Sequence, residues 1–257
     1  MSSTKTTSVT SADGTDIVFH TVGQGPPLVM VPGTLAVTGM YEPIAEQLSS
    51  AYQVVMIERR AYGISGPGDR PGEMIRQAED LMAVLGTLDA PAYVFGHSFG
   101  GVATLHTMAE FGPAISRIAL YEPPATLVGP ALAPVRDECR ELLAAGNPVG
   151  AVLRFLGATD GNTPPAAAMS VASVFAFRAD GMLADLECIS GMDPDLTRWG
   201  AIDTPALLLT GSNSDPASTK LLDQILPDTR VTVLPGLGHY PDNPVLVAEA
   251  LREFFVA

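Results

Sequence analysis

Ala92-Tyr93-Val94-Phe95-Gly96-His97-Ser98-Phe99-Gly100-Gly101 is the stretch on which the reading of this chain turns. Residues 92–95 are apolar and suit a strand buried on both faces, and 102–111 can continue as a helix. Between them stands a serine with glycines two before and two after it. A strand that turns at once into a helix forces its central residue into a strained conformation and exposes that residue's side chain, and flanking glycines leave the hydroxyl uncovered. The chain therefore offers Ser98 as a nucleophile.

A serine hydroxyl needs a base to take its proton and a carboxylate to orient that base. Four histidines are available. His97 adjoins Ser98 and is expected to pack or hydrogen-bond beside it, while His20 (in a strand) and His106 (on the following helix) read as structural. His239 ends the glycine-rich loop Pro235-Gly236-Leu237-Gly238, between the last expected strand and the last helix, where such folds place chemistry. It is the expected general base. Asp215, just beyond the apolar run 206–210, is the expected orienting acid; a cap for the next helix is its alternative reading. Asp193, Asp195 and Asp203 precede that run, and Asp242 suits a cap of the final helix. For the oxyanion, the backbone N–H of Phe99 is one expected donor, and that of Thr34, or else Leu35, in the loop after 27–31 is the other.

Outward from this centre, short β-rich runs at 16–22, 27–31, 53–57, 92–95, 115–120, 206–210 and 230–234 alternate with amphipathic segments. That is the pattern of an α/β protein with a largely parallel sheet. Tyr41, Ile44, Ala45 and Leu48, and again Val247, Leu251, Phe254 and Phe255, recur at helical spacing. No strand is expected between about 123 and 200, and this stretch reads as an inserted helical cap. Segments 134–145, 149–156 and 166–177 carry helical spacing, with breaks at Gly146-Asn147-Pro148 and Thr163-Pro164-Pro165.

Taken in order, the Pro32-Gly33 loop, the segment Glu58-Arg59-Arg60-Ala61-Tyr62-Gly63-Ile64-Ser65, the elbow 96–101, Asp215 and Gly238-His239 resemble the α/β-hydrolase superfamily from about residue 13 to 255. The resemblance implies an eight-stranded, mostly parallel sheet, a cap inserted after the sixth strand, and a Ser-Asp-His triad that works without cofactor or metal. The pattern departs in two places: Pro32 stands where the family's loop has histidine, and Ala61 where its segment has a first glycine. A serine at the elbow, in place of aspartate, speaks against dehalogenase and epoxide-hydrolase chemistry.

The 257 residues, 47% hydrophobic and 16% charged, suit one core (about 12–122 and 201–257) with an insertion at about 123–200. A net charge of -14 disfavours nucleic acid and anionic membranes as partners. Cys139 and Cys188 are read as buried reduced thiols, and residues 1–11 as a polar flexible tail without an export signal, which gives a cytoplasmic expectation. The expected activity is hydrolysis of an ester, thioester or lactone of a small apolar molecule through an acyl group on Ser98. Leu35, Phe175, Met182, Trp199 and Tyr240 are candidate pocket residues, with Phe155, Met169, Phe177 and Met192 as further apolar cap positions. The same triad would also serve carbon-carbon hydrolysis, perhydrolysis, or acyl transfer and cyclisation in natural-product pathways. A small-molecule receptor with vestigial activity is the alternative of another class. Oligomeric state has no signature in the sequence.

Overall fold

Leu28, Val29, Met30 and Val31 are all buried, so the strand β3 (Pro27–Val31) has a wall of protein on each face. Leu28 and Met30 join one apolar cluster, and Val29 and Val31 join another. The same division runs through β4 (Gln53–Ile57), β5 (Ala92–His97), β6 (Ile115–Tyr121) and β7 (Ala206–Gly211). This is why these segments lack polar alternation, and each fully buried Val, Leu or Met side chain contributes about 1.5–3 kcal/mol.

The computed structural model describes residues 4–159 and 164–256. Among them is one eight-stranded sheet in the order β1-β2-β4-β3-β5-β6-β7-β8, completed by β1 (Lys5–Thr10), β2 (Asp16–Val22) and β8 (Thr229–Leu234). All neighbouring pairs from β4 onward are parallel, and β2 is antiparallel to both of its neighbours. Helices α1 (Glu42–Leu48) and α9 (Pro244–Val256) cover one face. On the other face pack α2 (Met74–Leu85) and α3 (Phe99–Phe111), with Leu222 of α8 (Ala217–Ile225) in the same cluster. The sequence stripes on α1 and α9 are the buried ones.

Residues 5–10 are not the flexible tail expected. They pair with β2 in register from Lys5↔Thr21 to Thr10↔Asp16. Their threonines and valine favour extended backbone, but this edge strand is mostly exposed and so carries no apolar run to betray it. Met1 to Ser3 lie outside the described residues.

Between β6 and β7 the described chain is helical: α4 (Ala133–Ala144), α5 (Pro148–Thr159), α6 (Pro165–Phe175) and α7 (Ala179–Gly191). Thr163, read as part of a break, lies outside the described residues. By length and a mean hydropathy of 1.2, the run Pro165–Gly191 matches a membrane span. A 3-10 turn at Ala176–Arg178 interrupts it, however, and α7 buries Met182, Leu186 and the ionisable Asp185 against the body of the protein.

Candidate active site

The tight passage from β5 to α3 sets the site. Ser98 has φ 52° and ψ -123°, a conformation costly for any residue with a side chain, and it is held there by its N–H bond to the Tyr121 carbonyl (2.8 Å). Gly100 makes the turn possible: a Cβ at that position would lie 2.1 Å from the Val31 carbonyl oxygen. A Cβ on Gly33 would lie 2.9 Å from Ser98 Cβ, so the loop after β3 runs directly over the serine.

His239 Nε2 lies 3.1 Å from Ser98 Oγ, and its Nδ1 lies 2.9 Å from a carboxylate oxygen. That carboxylate belongs to Glu122, not to Asp215. Glu122 follows β6 directly, with φ 45°, its own N–H bonded to the Leu209 carbonyl. Its Oε1 accepts from the Gly211 N–H (2.8 Å) and Thr210 Oγ1 (3.3 Å), which leaves Oε2 for His239. Burial alone would raise its carboxyl, but donation from His239, Ser214 and Gly211 outweighs burial and holds it below the usual glutamate value. An ionised Glu122 keeps the imidazole proton on Nδ1 and turns the Nε2 lone pair toward Ser98.

Asp215 misses His239 because of the path its loop takes. After β7, Ser212 and Asn213 bond through their N–H groups to Leu234 and Leu237, which lays this segment alongside the histidine loop. The chain then enters α8, and Asp215 Oδ1 accepts from the Ala217 N–H (3.0 Å), the capping alternative read from the sequence. The sequence signal for Glu122 is the same one that pointed to Asp215: an acid immediately after an apolar strand, here 115–121 followed by Glu122-Pro123-Pro124.

His97 is buried and does not face the serine. Tyr41 Oη donates to its Nδ1 (2.6 Å), and its Nε2 donates to the His239 carbonyl (2.9 Å). Burial, assisted by the neighbouring His239, lowers its pKa to about 3, so it stays neutral. Tyr41 Oη also accepts from the Gly33 N–H (3.2 Å). One relay thus joins the loop after β3 to the histidine loop, which Tyr121 holds as well, through the Gly238 carbonyl (2.7 Å).

The N–H groups of Phe99 and Thr34 have no hydrogen-bond acceptor among the described residues. The Leu35 N–H is occupied, donating to Tyr62 Oη (3.3 Å), which removes it as an oxyanion candidate. A cavity of about 690 Å³ opens on Ser98 and His239 and is lined also by Thr34, Phe99, Phe155 and Tyr240. Leu35, Phe175, Met182 and Trp199 do not line it: Leu35, Met182 and Trp199 are core residues, and Phe175 packs against the same cluster, since large apolar side chains on short helices serve first to join the helices to the body. Ala61 takes φ 61°, the left-handed conformation that a glycine would occupy without strain.

Over residues 28–250 the sequence matches the α/β hydrolase family. The chain belongs to that family. It is similar to 2-(acetamidomethylene)succinate hydrolase of Mesorhizobium japonicum, at 23% identity over 253 residues, covering 91% of this chain and 90% of that protein. Among solved structures, an alpha/beta hydrolase from Sphaerobacter thermophilus superposes with a TM-score of 0.80 at 29% identity, covering 97% of this chain and 100% of that one. The enol-lactonase from Burkholderia xenovorans shares the fold with a TM-score of 0.78 at 21% identity, covering 98% and 100% of the two chains. The first two are hydrolases by name, and with the family match they support a hydrolase function for this chain.

Proposed function

We propose that this protein is a serine hydrolase of uncharged carboxylic esters, including lactones and thioesters, acting through an acyl-enzyme. The observation that carries the reading is the line from Ser98 Oγ to His239 Nε2 (3.1 Å) and from His239 Nδ1 to Glu122 Oε2 (2.9 Å), open to the cavity. Ser98 Oγ bonds to the substrate carbonyl carbon while its proton passes to His239 Nε2. The N–H groups of Phe99 and Thr34 receive the charge that forms on the carbonyl oxygen. The tetrahedral adduct then collapses, the bond to the leaving group breaks, and His239 returns the proton to that group. Water then attacks the acyl carbon and gives a proton to His239, the second adduct collapses with loss of the bond to Ser98 Oγ, and His239 returns the proton to Ser98 Oγ as the acid leaves.

Charge supports the restriction to uncharged substrates. Asp215 and Asp242 stand exposed on the cavity wall, Glu122 and Asp185 lie deeper with partners, and no Lys or Arg is among the described lining residues. A substrate carboxylate entering this field meets repulsion with no cation to receive it. In this the cavity is poorly suited to dicarboxylates such as the succinate derivative after which the Mesorhizobium relative is named.

Labelling with a fluorophosphonate tests the nucleophile: the folded protein reacts at Ser98, and Ser98→Ala neither reacts nor hydrolyses p-nitrophenyl butyrate. A folded protein that resists the label and turns over none of a panel of p-nitrophenyl esters would instead be a binding protein. Charge selection is read from p-nitrophenyl butyrate against mono-p-nitrophenyl succinate. At low salt kcat/KM is expected to be about tenfold lower for the anion, and the gap narrows as salt screens the rim. Equal rates would sink the restriction.

A further inference from the structure

Arg59 has no place in the chemistry above, yet it is 4% exposed and fully hydrogen-bonded beneath the loop that carries Thr34. Its guanidinium is stacked between the rings of Tyr62 and Phe99, 4.6 and 4.5 Å from their centroids. Nε donates to the Pro32 carbonyl (2.8 Å) and Nη2 to the Gly33 carbonyl (3.1 Å). The other side of the fork meets Asp185 of α7 twice, at 2.8 and 2.7 Å. Burial opposes the charge of Arg59, and Asp185 beside it more than restores that charge. Asp185 also accepts from Tyr62 Oη (2.8 Å), the hydroxyl that holds the Leu35 N–H.

The peptide groups on either side of Thr34 are thereby anchored, while its own N–H has no acceptor among the described residues. The Pro32–Gly33 peptide is held at both ends, by Arg59 and by Tyr41. The Gly33 carbonyl accepts from Arg59 (3.1 Å) and, within its own turn, from the Ala36 N–H (3.3 Å). There are no cis peptide bonds among the described residues, and in a planar trans peptide the carbonyl and the N–H point in opposite directions. Pinning the Gly33 carbonyl on Arg59 therefore sends the Thr34 N–H the other way, and Thr34 lines the cavity.

Resting on the serine-hydrolase reading, we infer that Arg59 is a positioning residue that aims the Thr34 N–H into the oxyanion hole, with Asp185 of α7 as its counter-ion. The inserted helix and the oxyanion donor are then one mechanical unit. Loss of α7 contact takes away both the partner of Arg59 and the acceptor of Tyr62, so only a body with its insertion seated stabilises the oxyanion. A guanidinium fork is required because five acceptor atoms, on Pro32, Gly33, Asp185 (both oxygens) and Gln77, are met by one side chain, and an ammonium has only three N–H groups.

The test uses Arg59→Lys, which keeps the charge beside Asp185, together with Arg59→Met and Asp185→Asn. Folding is checked by thermal melting, and hydrolysis of p-nitrophenyl butyrate is followed across pH. For folded Arg59→Lys, kcat is expected to fall at least about tenfold with KM within about twofold, since a misaimed donor weakens binding of the transition state and not of the substrate. The pH midpoint of kcat/KM is expected to match that of the parent. Inhibition by phenylboronic acid, whose tetrahedral serine adduct places an oxygen in the same hole, weakens by a comparable factor. Arg59→Lys with kcat within twofold of the parent, or with its loss confined to KM, overturns the inference. Fluorophosphonate labelling of the parent at Ser98 separates the two readings: a parent that does not label defeats the hydrolase reading itself, whereas a labelled parent beside an unimpaired Arg59→Lys defeats only the role of Arg59.

Discussion

Glu122 and Asp215 are both acids placed just past the end of a buried apolar strand, and only one of them reaches His239. Glu122 meets the imidazole at 2.9 Å while its other oxygen is anchored by the Gly211 N–H, so the carboxylate cannot swing away without losing a half-buried bond. Replacing Glu122 by Gln keeps the shape and removes the charge that supports a cationic imidazole, and kcat is expected to drop roughly 10²–10⁴-fold. Asp215→Ala removes only a bond to the start of α8, and its cost is about 1 kcal/mol of stability with kcat within about threefold of the parent. Steady-state hydrolysis and urea denaturation of the two variants decide between the acids. If Asp215→Ala were the inactive one, the assignment made from the geometry would fall.

At the scale of elements, the site depends on how closely α3 approaches β3. A methyl on Gly100 would lie 2.1 Å from the Val31 carbonyl and 2.7 Å from that of Pro32, both backbone atoms that cannot rotate aside. Gly100→Ala therefore pushes α3 off the sheet, with an expected loss of about 3 kcal/mol in urea denaturation and displacement of Ser98. The elements themselves were largely legible, because buried parallel strands are apolar runs and their covering helices carry stripes at helical spacing. β1 escaped notice for the converse reason: an exposed edge strand has no buried face to impose a pattern, and only pairing with β2 reveals it. Among the inserted helices the spacing showed helix but not partner, so Met182 and Trp199 were expected at the cavity and are in the core.

Across the whole molecule, buried neutral histidines link stability to pH. His97 is held at about 3 by burial and by His239, and His106 at about 4 by burial and by Arg198, against 6.5 for the free side chain. With folded values depressed, the stabilisation is complete above pH 6.5. It is lost as pH falls, because the unfolded chain binds protons that the folded one refuses. Between 6.5 and about 4 each group can cost up to about 1.4 kcal/mol per pH unit. His106→Gln is expected to flatten the fall in urea-denaturation stability between pH 6.5 and 4 by up to about one proton; an unchanged slope would mean that His106 takes up protons equally in both states.

The sequence by itself determined the order of strands and helices from β2 onward, the elbow at Ser98 and the place of His239, because each follows from local pattern: apolar runs, glycines at a sharp turn, a glycine-rich loop beyond a strand. Tertiary structure alone decided which acid turns His239, which N–H remains open for an oxyanion and which apolar side chains face the cavity. The separation from Glu122 to His239 is 117 residues and that from Arg59 to Asp185 is 126. Contacts at such distances depend on the path of every intervening loop, and loop paths are set by backbone bonds, such as those of Asn213 to Leu237 and of Glu122 to Leu209, that leave no mark in the order of side chains.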